Sequence, residues 1–345
     1  MFSILYYSIL LVCTLGSIYI FSKNKPTKAR FGFQLLMRRV NYLILLLITL
    51  GLWSYQFSLW FVPKGTPLHE TLRVPFHVSD MAAYDVSEMK EMTFPYGKNA
   101  RQYLMWFEPA NKKITQDRVI YFIHGGSWRY GNPEMYRPFA QFFTKRGYAV
   151  AITGYRLAPQ FDYTDMREDL NLSMKKVLTI LKSKHFQDKK LLLIGDSAGA
   201  NLAALLLYDR KNLNKIGVEQ SIFDGLIAFA GPMNLDELDE STALKDYAGA
   251  RTDSTFQLAN PINYLQSDEV TPVLCLHGTK DGYVNYASSK TFIQRLNQIN
   301  PKLGQLATFK NKTHLDIIGK WLCNKNEVRV FFEKWLDEKE QVVRN

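Results

Sequence analysis

The sequence predicts an α/β fold, a mainly parallel sheet with helices on both faces. Three observations carry this. Short continuous apolar runs such as 119–123 and 191–194 read as strands buried on both sides. They alternate with stretches of helical period, of which 165–181 is the clearest, with Leu170, Val177, Ile180 and Leu181 on one stripe. Finally, Gly195-Asp196-Ser197-Ala198-Gly199 ends one apolar run and opens a small-residue helix, which marks a very tight strand-to-helix turn.

In chain order, residues 1–63 read as a two-helix membrane anchor. Segments 1–22 and 41–62 each lack a charged side chain, and each is long enough to cross a hydrocarbon core of about 30 Å. Tyr6, Tyr19, Tyr42 and Trp60 near their ends suit the interfaces. The loop 23–39 carries six basic residues and no acid. The positive-inside rule therefore puts the loop in the cytoplasm and everything after Pro63 on the non-cytoplasmic side. Two blander readings compete. Segment 1–22 as a secretory signal lacks a charged leading region and a small-x-small cleavage site. Segment 41–62 as a core helix conflicts with its being apolar all round.

Residues 64–90, broken by Pro67 and Pro75 just after Pro63, read as a linker or partial cap. The domain proper, 91–345, opens with a hairpin, 92–95 and 103–108, turning through Gly97-Lys98-Asn99. A strand at 119–123, a helix at 136–145, a strand at 148–153 and the helix at 165–181 follow. After the strand 191–194 and its helix comes a strand at 226–230, then a cap-like insertion at about 231–270 without a clear strand. Its Leu235, Leu238, Leu244, Tyr247, Phe256 and Leu258 suit a wall over an apolar pocket. Strands at 272–277 and 305–309 and helices at 288–297 and 328–337 complete the alternation.

Charge and cysteines exclude several classes. The formal net charge is +11, but seven of the 43 basic residues fall in 1–64 with no acid, leaving 36 against 32 acids elsewhere. No basic stripe interleaved with aromatics follows, which argues against a nucleic-acid partner. Three cysteines, Cys13, Cys275 and Cys323, make no disulfide framework, and no spacing rule suggests a Cys275–Cys323 pair. No ligand cluster or dinucleotide fingerprint implies a metal or organic cofactor.

The chemistry-bearing residues cluster at strand ends. Ser197 on its turn is exposed at a helix N-terminus, where free N–H groups favour a developing negative charge. His124-Gly125-Gly126-Ser127-Trp128 follows the strand 119–123, and a Gly-Gly turn there offers backbone N–H donors to an oxyanion, with Ala198 adding another. Asp281, in His277-Gly278-Thr279-Lys280-Asp281-Gly282, and His314, in Lys312-Thr313-His314-Leu315-Asp316, each follow a later strand. Singly, each reads as an ordinary turn residue; the order Ser, Asp, His at successive strand ends points to a nucleophile, an orienting acid and a base. Asp236 and Asp316 are the rival acids. Of the other histidines, His69 and His77 lie in the linker, His185 on a Lys-rich segment, and His124 and His277 beside glycines at strand ends.

These motifs, with Tyr155-Arg156-Leu157-Ala158-Pro159, resemble the α/β-hydrolase superfamily, and within it the hormone-sensitive-lipase-like carboxylesterases, over roughly 90–340. The His-Gly-Gly-x-Trp form is similar to the prenylcysteine methylesterase, arylformamidase and feruloyl-esterase-like branches. The third glycine common in that group is Ser127 here. The resemblance implies a serine esterase with Ser197, Asp281 and His314 as its triad. Its oxyanion hole would be built from the N–H groups of Gly126, Ser127 and Ala198, with Gly125 in support. Arg156 would tie its loop to the helix containing Asp169. An amide, formamide or thioester substrate stays open, as does a non-catalytic binding protein on the same fold.

Overall fold

The computed structural model describes residues 8–16, 18, 33–82, 86, 89–110, 113–319, 322 and 326–344. Eight strands form one sheet: β1 (Met89–Pro95), β2 (Tyr103–Pro109), β3 (Arg118–Ile123), β4 (Ala149–Thr153), β5 (Lys190–Asp196), β6 (Phe223–Phe229), β7 (Val273–Gly278) and β8 (Gly304–Phe309). Their order is β1-β2-β4-β3-β5-β6-β7-β8. The hairpin β1–β2 and the β2–β4 pairing are antiparallel, and β4 through β8 run parallel.

Period-two alternation makes this sheet two-sided. Val119, Tyr121, Ile123, Leu191 and Leu193 enter one buried cluster, while Ile120, Phe122, Leu192 and Ile194 enter the other. The helices α4 (Tyr163–Ser183) and α5 (Ala198–Tyr208) cover the first face, with α9 (Tyr286–Ile299) beside them. The helices α3 (Arg137–Thr144) and α11 (Glu327–Arg344) cover the second. A capping box at Asp162 starts α4, its side chain accepting from the Thr164 amide at 2.8 Å. The insertion after β6 folds into short helical turns, among them α7 (Thr242–Ala248) and α8 (Ser254–Leu258). Further helices are α1 (Phe33–Phe61), α2 (Pro67–Ala82), α6 (Arg210–Lys215) and α10 (His314–Ile318).

The membrane anchor expected from the sequence is corrected. Among the described residues, no helix is long and apolar enough to cross a membrane. The uninterrupted core of the second candidate is short: Leu43 to Trp53 is bounded by Arg38, Arg39 and Asn41 on one side and Ser54 to Gln56 on the other. A run of that length falls well below the roughly 20 apolar residues a spanning helix needs. Tyr55, at its end, turns to protein instead: its ring stacks on Phe76 of α2 with centroids 5.8 Å apart, and its hydroxyl donates to the Leu72 carbonyl. Most of segment 1–22, and the basic loop up to residue 32, lie outside the described residues, as does Cys323. The integral-membrane placement, with the catalytic domain on the non-cytoplasmic side, rested on those two spans and falls with them.

Segment 64–90 also differs from a broken linker, because it contains the 16-residue helix α2. Pro67 occupies the first helical turn, where its missing N–H has no cost, and the Thr66 hydroxyl accepts from the His69 amide at 3.3 Å. Cys275 is a free, buried cysteine.

Candidate active site

The elbow after β5 holds Ser197 with φ 48° and ψ −125°, a left-handed conformation that a non-glycine residue adopts only when its surroundings enforce it. The surroundings do so. The Ser197 amide donates to the Phe229 carbonyl of β6 at 2.8 Å. On the other side α5 presses so closely on β3 that a Cβ at Gly199 would run into the Ile123 carbonyl. The result is a hydroxyl held at the sheet's C-terminal edge, 7% exposed.

His314 reaches this hydroxyl from the loop after β8, and Asp281 backs it from the loop after β7. His314, the first residue of α10 after β8, places Nε2 2.9 Å from Ser197 Oγ. Its Nδ1 lies 2.7 Å from Asp281 Oδ2. Asp281, three residues past β7, is fixed at its other oxygen, where Oδ1 accepts from the Tyr283 and Val284 amides at 2.9 and 2.8 Å. His277 approaches Oδ2 at 3.2 Å through Nε2, while its Nδ1 pairs with Ser289 Oγ at 2.8 Å. Burial alone would push the Asp281 carboxyl up, but the His314 charge and the His277 hydrogen bond hold it below the usual carboxylate range. Burial pulls the His314 imidazole down, yet Asp281, by charge and hydrogen bond, holds it above the ordinary histidine value, with Glu70 and Asp196 adding to the effect.

The loop after β3 lies against the same elbow. Gly126, Ser127 and Trp128 have φ of 118°, 53° and 57°, three successive left-handed residues. The Gly125 amide donates to Asp196 Oδ1 at 2.7 Å, and Asp196 Oδ2 accepts from the Tyr136 hydroxyl at 2.9 Å. Asp196 thus fastens this loop to the residue before Ser197. Burial pushes its carboxyl up to about 7, against the pull of those two donors. His124 is fully buried, and burial lowers its imidazole to about 3. Its Nδ1 pairs with the Gly125 carbonyl at 2.8 Å, and its own carbonyl accepts from the Tyr155 hydroxyl at 2.7 Å, so His124 orders the loop. The insertion closes over it. Trp128 stacks on Tyr247 of α7 at 4.2 Å and 5°, and Arg129 pairs with Asp246 at 3.1 Å.

The rival acids go elsewhere. Asp236 accepts from the Asn260 side chain at 3.0 Å. Asp316 caps the first turn of α10 through Thr313 and pairs with Arg73 at 2.9 Å. Arg156 binds Asp165, Glu168 and Asp169 of α4, as the sequence suggests. Two residues escaped the sequence reading. Asn201 of α5 donates through Nδ2 to the carbonyls of Pro232, at the start of the insertion, and Ala259, just after α8. Glu70, on α2, is fully buried and accepts from the His314 amide at 2.8 Å. The one signal for it was its isolation: it is the first acidic residue in the chain.

Comparisons with known proteins agree with this architecture. The BD-FAE family matches residues 105–296, more than half of the chain. Isoprenylcysteine alpha-carbonyl methylesterase of Arabidopsis thaliana is 24% identical over 263 residues, covering 71% of this chain and 61% of that protein. Arylacetamide deacetylase of Bos taurus is 33% identical over 132 residues, covering 36% of this chain and 33% of that protein. The chain therefore spans about 60% of the length of the methylesterase. Esterase B from Lactobacillus rhamnosis (HN001) superimposes with a TM-score of 0.62 at 18% identity, over 80% of this chain and 96% of that one, a likeness of fold. The parallel sheet, the serine elbow and these matches lead to one assignment: the protein is an α/β-hydrolase of carboxylesterase-like kind, and it belongs to the BD-FAE family.

Proposed function

We propose that the chain is a serine hydrolase that cleaves carboxylic esters through an acyl-enzyme on Ser197. The observation that carries this reading is the unbroken hydrogen-bonded chain from Ser197 Oγ through His314 to Asp281, set on a strained elbow at the sheet's C-terminal edge. His314 Nε2 removes the hydroxyl proton as Oγ attacks the ester carbonyl, and the imidazolium then protonates the departing alcohol. Asp281 keeps Nδ1–H pointed at itself and stabilises the imidazolium. Water, deprotonated by the same nitrogen, attacks the acyl-enzyme and frees Ser197. The oxyanion would rest on the N–H groups of Gly126, Ser127 and Ala198. The Gly125 amide, engaged by Asp196, acts in support by holding the loop.

The insertion 231–270 is read as one wall of an apolar pocket for a short or medium acyl group, since α7 is stacked on the Trp128 end of the loop. The relatives' names, a methylesterase and a deacetylase of arylacetamides, both fit a small acyl or alkyl part. The second of these also favours an amide as an alternative substrate on the same machinery.

The test is turnover of an ester panel of graded acyl length by the purified chain and by Ser197→Ala. We expect four-carbon esters to be cleaved faster than sixteen-carbon ones, and kcat in the variant to fall by roughly 10⁶-fold. Faster cleavage of the long chains contradicts the pocket, and undiminished turnover by Ser197→Ala contradicts the reading.

A further inference from the structure

We propose that Glu70 is a positioning residue of the Ser197 site, a carboxylate that ties the loop of His314 to the loop of Asp281 and sets the charge around the imidazole between them. The proposal rests on the reading of Ser197, His314 and Asp281 as a triad.

Glu70 comes from α2, 244 positions before His314, and is 0% exposed. An ionisable side chain buried that completely is destabilising unless its oxygens are hydrogen-bonded. Here the donors are backbone amides from both loops. Oε1 accepts from the His314 amide at 2.8 Å and the Gly282 amide at 3.4 Å, and Oε2 accepts from the Leu315 amide at 3.4 Å. Gly282 immediately follows Asp281. One carboxylate thus joins the main chain at the base to the main chain beside the acid.

The rest of α2 reinforces the grip. Arg73, one turn further on, donates to Thr313 Oγ1 at 2.6 Å and to Asp316 Oδ1 at 2.9 Å, on either side of His314. Thr71 Oγ1 pairs with the Tyr283 hydroxyl at 2.8 Å, and the Tyr283 ring lies edge-on to His314 with centroids 5.4 Å apart. Packing is so close that a Cβ at Gly282 would stand 2.5 Å from the Thr66 carbonyl.

The charge matters as well as the contacts. His314 is faced by Asp281 from the loop after β7, by Asp196 from the elbow and by Glu70 from α2, while Asp316 of α10 is taken by Arg73. Of the three carboxylates, Glu70 alone can be neutralised without touching the His314–Asp281 hydrogen bond or the residue beside Ser197. Its negative charge favours the protonated imidazole, the form that must exist while Ser197 is acylated. Activity needs neutral His314 in the free enzyme, so the acid limb of kcat/KM should lie above the ordinary histidine range and move to lower pH when this charge is removed.

The experiment compares the full chain with Glu70→Gln, which keeps a carbonyl acceptor for the His314 amide but loses the charge, and with Glu70→Asp, which restores the charge on a shorter stem. The His314 imidazole is titrated by NMR on uninhibited protein, alongside kcat and KM on a short ester. The expected result for Glu70→Gln is a lower His314 titration midpoint, an acid limb displaced by the same amount, and kcat reduced roughly 10–100-fold with KM little changed. Glu70→Asp should recover the midpoint in part. A loss of rate with an unmoved His314 midpoint would overturn the proposal, leaving Glu70 a structural tie only. A measurement on the unsubstituted chain covers the case in which Glu70→Gln does not fold: the Glu70 carboxyl carbon should show an inflection at the His314 midpoint, and a flat trace there also overturns it. Failure of the triad reading is distinguishable, because Ser197→Ala would then still turn over ester while the His314 titration keeps its dependence on Glu70.

Discussion

Asp281 takes two imidazoles at one oxygen and two backbone amides at the other, with its side chain fully buried. That saturation makes it the sharpest single-residue test of the acid. In Asp281→Asn the amide could present its NH2 to His314 and trap the tautomer with the proton on Nε2, where it cannot accept from Ser197. We expect kcat to fall by about 10⁴-fold with little change in fold. Asp236→Asn, whose carboxylate accepts from the Asn260 side chain away from the His314 imidazole, should leave kcat within a few-fold of the parent. Steady-state kinetics on one ester decides it, and a crippled Asp236→Asn would move the acid elsewhere. The convergence of Ser197, Asp281 and His314 was legible because each follows an apolar strand, and strand period marks where the chain reaches the sheet's edge. Glu70 was not legible. Its partners are peptide N–H groups, which every residue but proline carries, so no side-chain pattern announces the contact.

At the scale of elements, the insertion after β6 is held by side chains rather than by its own helices. Five- and seven-residue helices such as α8 and α7 are too short to persist without tertiary contacts. Tyr247 supplies one contact, stacking on Trp128 and donating to Asn201 Oδ1 at 2.7 Å. Asn201 supplies another, at the carbonyls of Pro232 and Ala259. Tyr247→Phe keeps the stack and loses one buried hydrogen bond, and should lower unfolding free energy by about 1–3 kcal/mol. Tyr247→Ala should lower it by roughly 3–5 kcal/mol through the cavity left behind. Denaturant titration measures both, and an unchanged midpoint in Tyr247→Ala would mean that the insertion is not anchored there. The same physics explains what the sequence left unread. The insertion could be recognised as strand-free, but its short turns have no period to detect. The helix α2 was hidden by two prolines, one of them harmless in its first turn.

At the scale of the molecule, the sheet was the most legible feature, because strands buried on both faces leave continuous apolar runs that loops and surface helices do not imitate. The membrane anchor was misread for a related reason. Absence of charge marks an apolar segment without fixing the length of its apolar core, and a side chain such as Tyr55 docks on α2 as readily as at an interface. What the assembled domain achieves is convergence: β3, β5, β7 and β8 each deliver one part of the site to the same edge of the sheet, and α2 and the insertion flank it. The central claim is that this convergence makes Ser197 a nucleophile. The most direct measurement is the mass spectrum of the full chain after treatment with a fluorophosphonate, followed by peptide mapping. The account predicts a single phosphonyl adduct on Ser197 that is absent from His314→Ala; no adduct, or an adduct on another residue, would contradict it.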